Sequence, residues 1–175
     1  MKMKLLSLTT ALVWTLASSV SAEVTTKLSN VHLCCGSCVK GVAAATAKVA
    51  GAKLACDKDA GTVAITAADN ATVQQAVDAL IGAGYFGTSS NPEIKVAANN
   101  GATDGAVKSL KVTGVHLCCG KCVKAVSDAL KSVKGVAGNN AEKGSETFVV
   151  SGDDFSAKEV FAALEKAGLT GKAGK

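Results

Sequence analysis

Along this chain apolar and polar residues first alternate at a period of two, then recur at helical spacing, and the whole succession occurs twice. In the first pass Val31 and Leu33 share one face of a short strand and His32 takes the other. A helix is predicted from about 38 to 49, with Gly51 where a helix C-terminus favours glycine. A hairpin follows, with its better strand over 62–67. A second helix opens at a capping box of Thr72 with Gln75 and stops at Gly84. The second pass repeats the pattern with Val115 and Leu117, a helix over 122–133 and Gly135 after it. A hairpin strand at 146–151, a capping box of Ser156 with Glu159 and a stop at Gly168 complete it. A closing strand is expected at 93–96 in the first pass and in the few residues after Gly168 in the second. The order is β-α-β-β-α-β twice over, which predicts an α+β protein of two ferredoxin-like domains in tandem.

Sliding the sequence by 84 positions aligns 27–87 with 111–171 without a gap, and 20 of the paired residues are identical. The densest match sets 31–40, Val-His-Leu-Cys-Cys-Gly-Ser-Cys-Val-Lys, against 115–124, Val-His-Leu-Cys-Cys-Gly-Lys-Cys-Val-Lys. A repeat of this length indicates duplicated domains, because short-period solenoids need three or more units. The domains are expected over 23–97 and 108–175. The linker, 98–107, is small and polar in composition, which suits flexibility. Within the second copy, 136–143 is rich in Gly and Asn and makes the weakest strand.

Residues 1–22 stand apart from this pattern. Lys2 and Lys4, an apolar run to Ala17 and small residues up to Ala22 read as a secretory signal peptide. The apolar run is too short to span a bilayer. A periplasmic or secreted product is therefore expected, without membrane insertion after the signal is removed. Removal takes the formal charge from +5 to +3, 17 lysines against 14 acids, and takes both methionines and the only tryptophan with it. The chain has no arginine and few aromatics, so bidentate phosphate or guanine recognition and base stacking lack their residues. That argues against a nucleic-acid partner.

Chemistry concentrates in seven cysteines: Cys34, Cys35 and Cys38, their counterparts Cys118, Cys119 and Cys122, and Cys56 alone. Exported cysteines commonly form structural disulfides, yet each triplet spans five residues, where a bridge closes almost no loop entropy. A thiol–disulfide redox protein is the alternative function, since Cys35-Gly36-Ser37-Cys38 is a CxxC at a helix start. Against it, the sole proline, Pro92, falls near the end of the first domain and has no counterpart in the second copy. Metal binding fits best, and the expected role is non-enzymatic. Two thiolates three positions apart, one in a loop and one in the first helical turn, can converge on an ion while the helix N-terminus favours their charge. Lys40 and Lys124 stand close enough to add to that field. Sulfur ligation selects soft ions, Cu(I) first, with Hg(II), Zn(II) and Cd(II) also suited. The motif occurring twice on the same element makes the signal strong.

Each copy resembles a heavy-metal-associated domain, the family of copper chaperones, metal-ATPase N-terminal domains and periplasmic mercury-binding proteins. The resemblance rests on Cys35, Cys38, Gly51 and Ala83-Gly84-Tyr85, and on Cys119, Cys122, Gly135-Val136 and Ala167-Gly168-Leu169. It implies a ferredoxin-like fold and thiolate ligation by Cys35 with Cys38 and Cys119 with Cys122, one ion per loop. It also implies a role in sequestering or transferring metal, with a membrane metal transporter or another metal-binding domain as partner. Where the family has Gly-Met, this chain has His32-Leu33 and His116-Leu117, the leucine filling the core position without a sulfur. Cys34 and Cys118 occupy a variable family position and offer a third thiolate, so two- and three-sulfur ligation both stay open. His32 and His116 are expected to be exposed strand residues, Tyr85 to pack near the loop, and Cys56, aligned with Asn140, to be a buried small hydrophobe.

Overall fold

The computed structural model describes residues 22–174. The signal peptide expected at 1–22 lies outside the described residues except for its last position. The chain forms β1 (Val24–Ser29), α1 (Gly36–Thr46), β2 (Lys53–Asp57), β3 (Thr62–Ala67), α2 (Asn70–Gly82) and β4 (Thr88–Ser89). It then repeats with β5 (Ala106–Thr113), α3 (Gly120–Leu130), β6 (Val136–Asn139), β7 (Thr147–Ser156), α4 (Ala157–Lys166) and β8 (Lys172–Ala173). Two four-stranded antiparallel sheets result, ordered β2-β3-β1-β4 and β6-β7-β5-β8, so the fold is two ferredoxin-like modules. Among the described residues no helix is long and apolar enough to cross a membrane.

Each sheet carries its helices on one face, and the core lies between. Buried residues recur every fourth position: Cys38, Val42 and Thr46 on α1, and Cys122, Val126 and Leu130 on α3. This is the spacing that lines one helical face. Val73, Ala76, Val77 and Leu80 of α2, and Val160, Phe161 and Leu164 of α4, are buried beside them in the same cores.

Several boundaries differ from the sequence expectations. Helices α1 and α3 begin two residues early, because Cys35 and Cys119 are themselves the extended N-cap residues. They end before Gly51 and Gly135, which follow a further irregular turn at φ of 83° and 85°. At α2 the cap is Asp69, whose carboxylate accepts from the Thr72 N–H at 2.7 Å, so the Thr72–Gln75 box is not formed. Ser156 does cap α4, accepting from the Glu159 N–H at 3.3 Å. The closing strand of the first module is Thr88–Ser89, paired with β1, and not 93–96. Ile94 instead buries against the core while the Lys95 backbone pairs with the Gln74 side chain. The segment of flexible composition is anchored as well, its Asn100 carbonyl accepting from the Ala173 N–H at 2.7 Å.

The repeat is gapless in sequence but not in register. Leu28 faces Val63 in the first sheet, whereas its counterpart Val112 faces Phe148, one residue beyond the 84-position offset. Irregularities between Val136 and Gly138 and between Val107 and Ser109 lie beside this shift. Cys56 sits opposite Val63, whereas Asn140, its partner in the sequence alignment, lies just past the end of β6. It is half-buried on the edge strand β2.

Candidate metal centre

The two cysteine loops do not stand apart. The modules dock about an approximate two-fold relation whose centre is an antiparallel bridge between Tyr85 and Leu169, residues equivalent in the repeat. The Gly168 carbonyl accepts from the N–H groups of His32 (3.2 Å) and Phe86 (3.1 Å), and the Gly84 carbonyl accepts from Thr170 N–H (3.0 Å). Asn30, at φ 60°, reaches across to donate to the Lys166 carbonyl at the end of α4 (3.0 Å). Backbone approaches this closely at Gly84 and Gly168 because neither carries a Cβ. One on Gly84 would lie 2.5 Å from the Gly114 carbonyl oxygen, and one on Gly168 2.4 Å from that of Asn30.

This docking brings six sulfur atoms together. Cys34 Sγ lies 3.3 Å from Cys119, 3.5 Å from Cys122 and 3.6 Å from Cys38. Cys118 Sγ lies 3.5 Å from both Cys35 and Cys38 and 3.7 Å from Cys122. Within each CxxC the sulfurs are 3.8 Å apart. All are free thiols. Among the described residues four groups have donor atoms mutually within 4.8 Å: Cys34–Cys35–Cys119, Cys35–Cys38–Cys118, Cys118–Cys119–Cys122 and His32–Cys34–Cys122. The two loops, expected to hold one ion each, thus share a single interface, and the groups include sets from both loops as well as one from the second loop alone.

The protein field sorts these thiols by their surroundings. At the N-terminus of α1 the Cys38 backbone N–H points at Cys35 and lowers its pKa to about 6, against opposing burial. Cys119 is also lowered. Burial opposes its ionisation, but the Cys122 N–H, the Cys34 thiol and the Lys121 N–H outweigh it. Burial raises Cys34 and Cys118, whose thiols then serve as donors to their sulfur neighbours, and burial raises Cys122 too. The cluster thus sets two cysteines whose thiolates are favoured, Cys35 and Cys119, beside two whose thiols are favoured, Cys118 and Cys34. Because the thiolate is the nucleophile, Cys35 in the reduced, metal-free protein should alkylate with a rate that rises through about pH 6. Peptide mapping after iodoacetamide pulses across pH checks this, and Cys34 labelling before Cys35 would contradict it.

The flanking residues depart from expectation in an informative way. Residues 31–33 and 115–117 lie past the ends of β1 and β5 and not in the strands expected there, yet burial still alternates, with Leu33 and Leu117 buried and His32 and His116 on the opposite face. That opposite face, however, meets the other module, so both imidazoles are half-buried and not exposed. The Nε2 atoms of both lack a hydrogen-bond partner. Burial lowers both pKa values, and His32 is lowered further by His116. Tyr85 is buried, donates its hydroxyl to the Cys38 carbonyl at 2.9 Å and stacks on His116 with ring centres 4.7 Å apart. Gly41 makes room for that hydroxyl, since a Cβ there would lie 2.2 Å from it. At the equivalent positions of the second module stand Ala125 and Leu169, so neither the bare glycine nor the hydroxyl is repeated there. Lys124 pairs with Asp128 along its own helix, and Lys40 is exposed.

Fold and site together define a tandem of ferredoxin-like modules with a thiol cluster between them. No family model and no curated protein matches the chain. Among solved structures, the N-terminal soluble domains of Bacillus subtilis CopA superpose at 15% identity and a TM-score of 0.32, covering 89% of this chain and 96% of that one. A superposition that loose transfers no function.

Proposed function

We propose that this protein binds soft metal ions, Cu(I) foremost and Hg(II), Zn(II) or Cd(II) by the same chemistry, as cargo that it sequesters or passes on without catalysis. The observation that carries this reading is the convergence of Cys34, Cys35, Cys38, Cys118, Cys119 and Cys122, with neighbouring sulfurs 3.3–3.8 Å apart. Three thiolates about a metal at a bond length near 2.3 Å stand about 4.0 Å apart, so small adjustments suffice. All-sulfur surroundings select thiophilic ions over hard ones. The heavy-metal-associated resemblance supports metal handling, and the signal-like composition of residues 1–22 supports an exported, periplasmic setting. A membrane metal transporter or another metal-binding domain would be the exchange partner.

Native mass spectrometry of the reduced protein after Cu(I) or Hg(II) addition tests the reading. Wild type should retain ions through a chelator wash, and Cys38→Ser plus Cys122→Ser should lose most of them. Rapid insulin reduction by a protein that takes up no soft ion would favour the redox alternative.

A further inference from the structure

We infer that each three-sulfur site is built across the interface: Cys119 and Cys122 take Cys34 from the first module, and Cys35 and Cys38 take Cys118 from the second. This assignment rests on the metal-binding reading above.

Three observations carry it. The first is closure. In the set Cys34–Cys119–Cys122 the sides are 3.3, 3.5 and 3.8 Å, and in Cys118–Cys35–Cys38 they are 3.5, 3.5 and 3.8 Å. In the own-loop set Cys118–Cys119–Cys122 two sides are 3.7 and 3.8 Å, and the third, between the adjacent cysteines, is bounded only at 4.8 Å. The second is direction. Cys35 (φ −160°, ψ 172°) and Cys119 (φ −153°, ψ 170°) are fully extended. Successive side chains of extended backbone point to opposite sides, so Cys34 and Cys118 are turned from the adjacent Cys35 and Cys119 toward the neighbouring module, while Cys38 and Cys122 of their own loops stay at 3.6 and 3.7 Å. The third is rank, because the nearest sulfur to Cys34 is Cys119 and the nearest to Cys118 are Cys35 and Cys38.

Two consequences follow. The added cysteine of the Cys-Cys-Gly-x-Cys motif serves the other copy, which gives the duplication a chemical reason. Metal loading also clasps the modules together, each thiol that ligates giving up its proton to solvent.

Two triple variants separate the possibilities, because both keep three of the six cysteines. Cys34→Ser with Cys119→Ser and Cys122→Ser leaves the cross-module set Cys118, Cys35 and Cys38. Cys118→Ser with Cys119→Ser and Cys122→Ser leaves the own-loop set Cys34, Cys35 and Cys38. With one equivalent of Hg(II), X-ray absorption should count three sulfurs in the first variant and two in the second. Chelator competition should show the first binding at least tenfold tighter. Equal affinities and sulfur counts, or the reverse order, overturn the assignment. Should either variant misfold by circular dichroism, intact protein loaded with ¹¹³Cd(II) decides. One cadmium must then couple to the β-protons of both Cys34 and Cys122, and coupling confined to one loop overturns the assignment. Failure of wild type to bind any soft ion would instead remove the metal-binding reading itself.

Discussion

Gly168→Ala should separate the modules and weaken soft-metal binding at least about tenfold, while Gly51→Ala leaves both properties near wild type. Both glycines hold positive φ, 77° and 83°, so each alanine carries a similar intrinsic cost of about 1–2 kcal/mol for left-handed backbone. The surroundings differ. A Cβ on Gly51 meets nothing within 4 Å, whereas one on Gly168 lies 2.4 Å from the Asn30 carbonyl oxygen and 2.6 Å from the His32 nitrogen. Those atoms are backbone of the other module and can yield only by moving it. Movement there breaks the His32–Gly168 hydrogen bond and draws Cys34 away from Cys119. Small-angle scattering reads the expansion and chelator competition reads the affinity. A Gly168→Ala protein as compact as the Gly51→Ala control, with unchanged affinity, would show that docking does not depend on this close approach.

Saturating Cu(I) should raise the melting temperature by about 8–16 °C. A ligand that binds only the folded state contributes about 4 kcal/mol when its free concentration is about 1,000 times its Kd. For a chain of this length each kcal/mol moves the midpoint by about 2–4 °C. Ligands on both modules also tie their unfolding together, so the loaded protein should melt in one sharper transition. Calorimetry of the reduced protein, with and without the ion, checks both statements. Magnesium should produce no shift, since a hard ion gains little from thiolates. An unchanged midpoint with Cu(I) would count against the cluster as a folded-state metal site.

How far the sequence carried depends on the range of the interactions involved. The helices, the better hairpin strands and the Ser156 cap come from contacts within a few residues, and their periodicity announces them. Even there, local rules competed. Asp69, nearer the helix start, displaced Thr72 as cap, and Asn91, Glu93 and Lys95 found partners on or beside α2 that ended any strand at 93–96. The one-residue register slip opposite Val112 left no trace in an alignment that scores identity, because strand pairing is settled by which side chains reach the core.

The cysteine motif and its duplication were legible because six of the seven cysteines fall in two five-residue runs that align without a gap. The partner of each sulfur was not. His32 and His116 repeat on the face opposite Val31 and Leu33, and Ala-Gly recurs at 83–84 and 167–168. Those were the available signals of a docked face, but a strand edge facing solvent and one facing a neighbour carry the same alternation. The sequence by itself determined two modules, their β-α-β-β-α-β order and two matching cysteine triplets. Tertiary structure alone decided that the six form one cluster. Docking is set by shape between residues far apart in the chain: the bare glycines at 84 and 168, the Gly41 space under Tyr85, and the reach of Asn30 to Lys166.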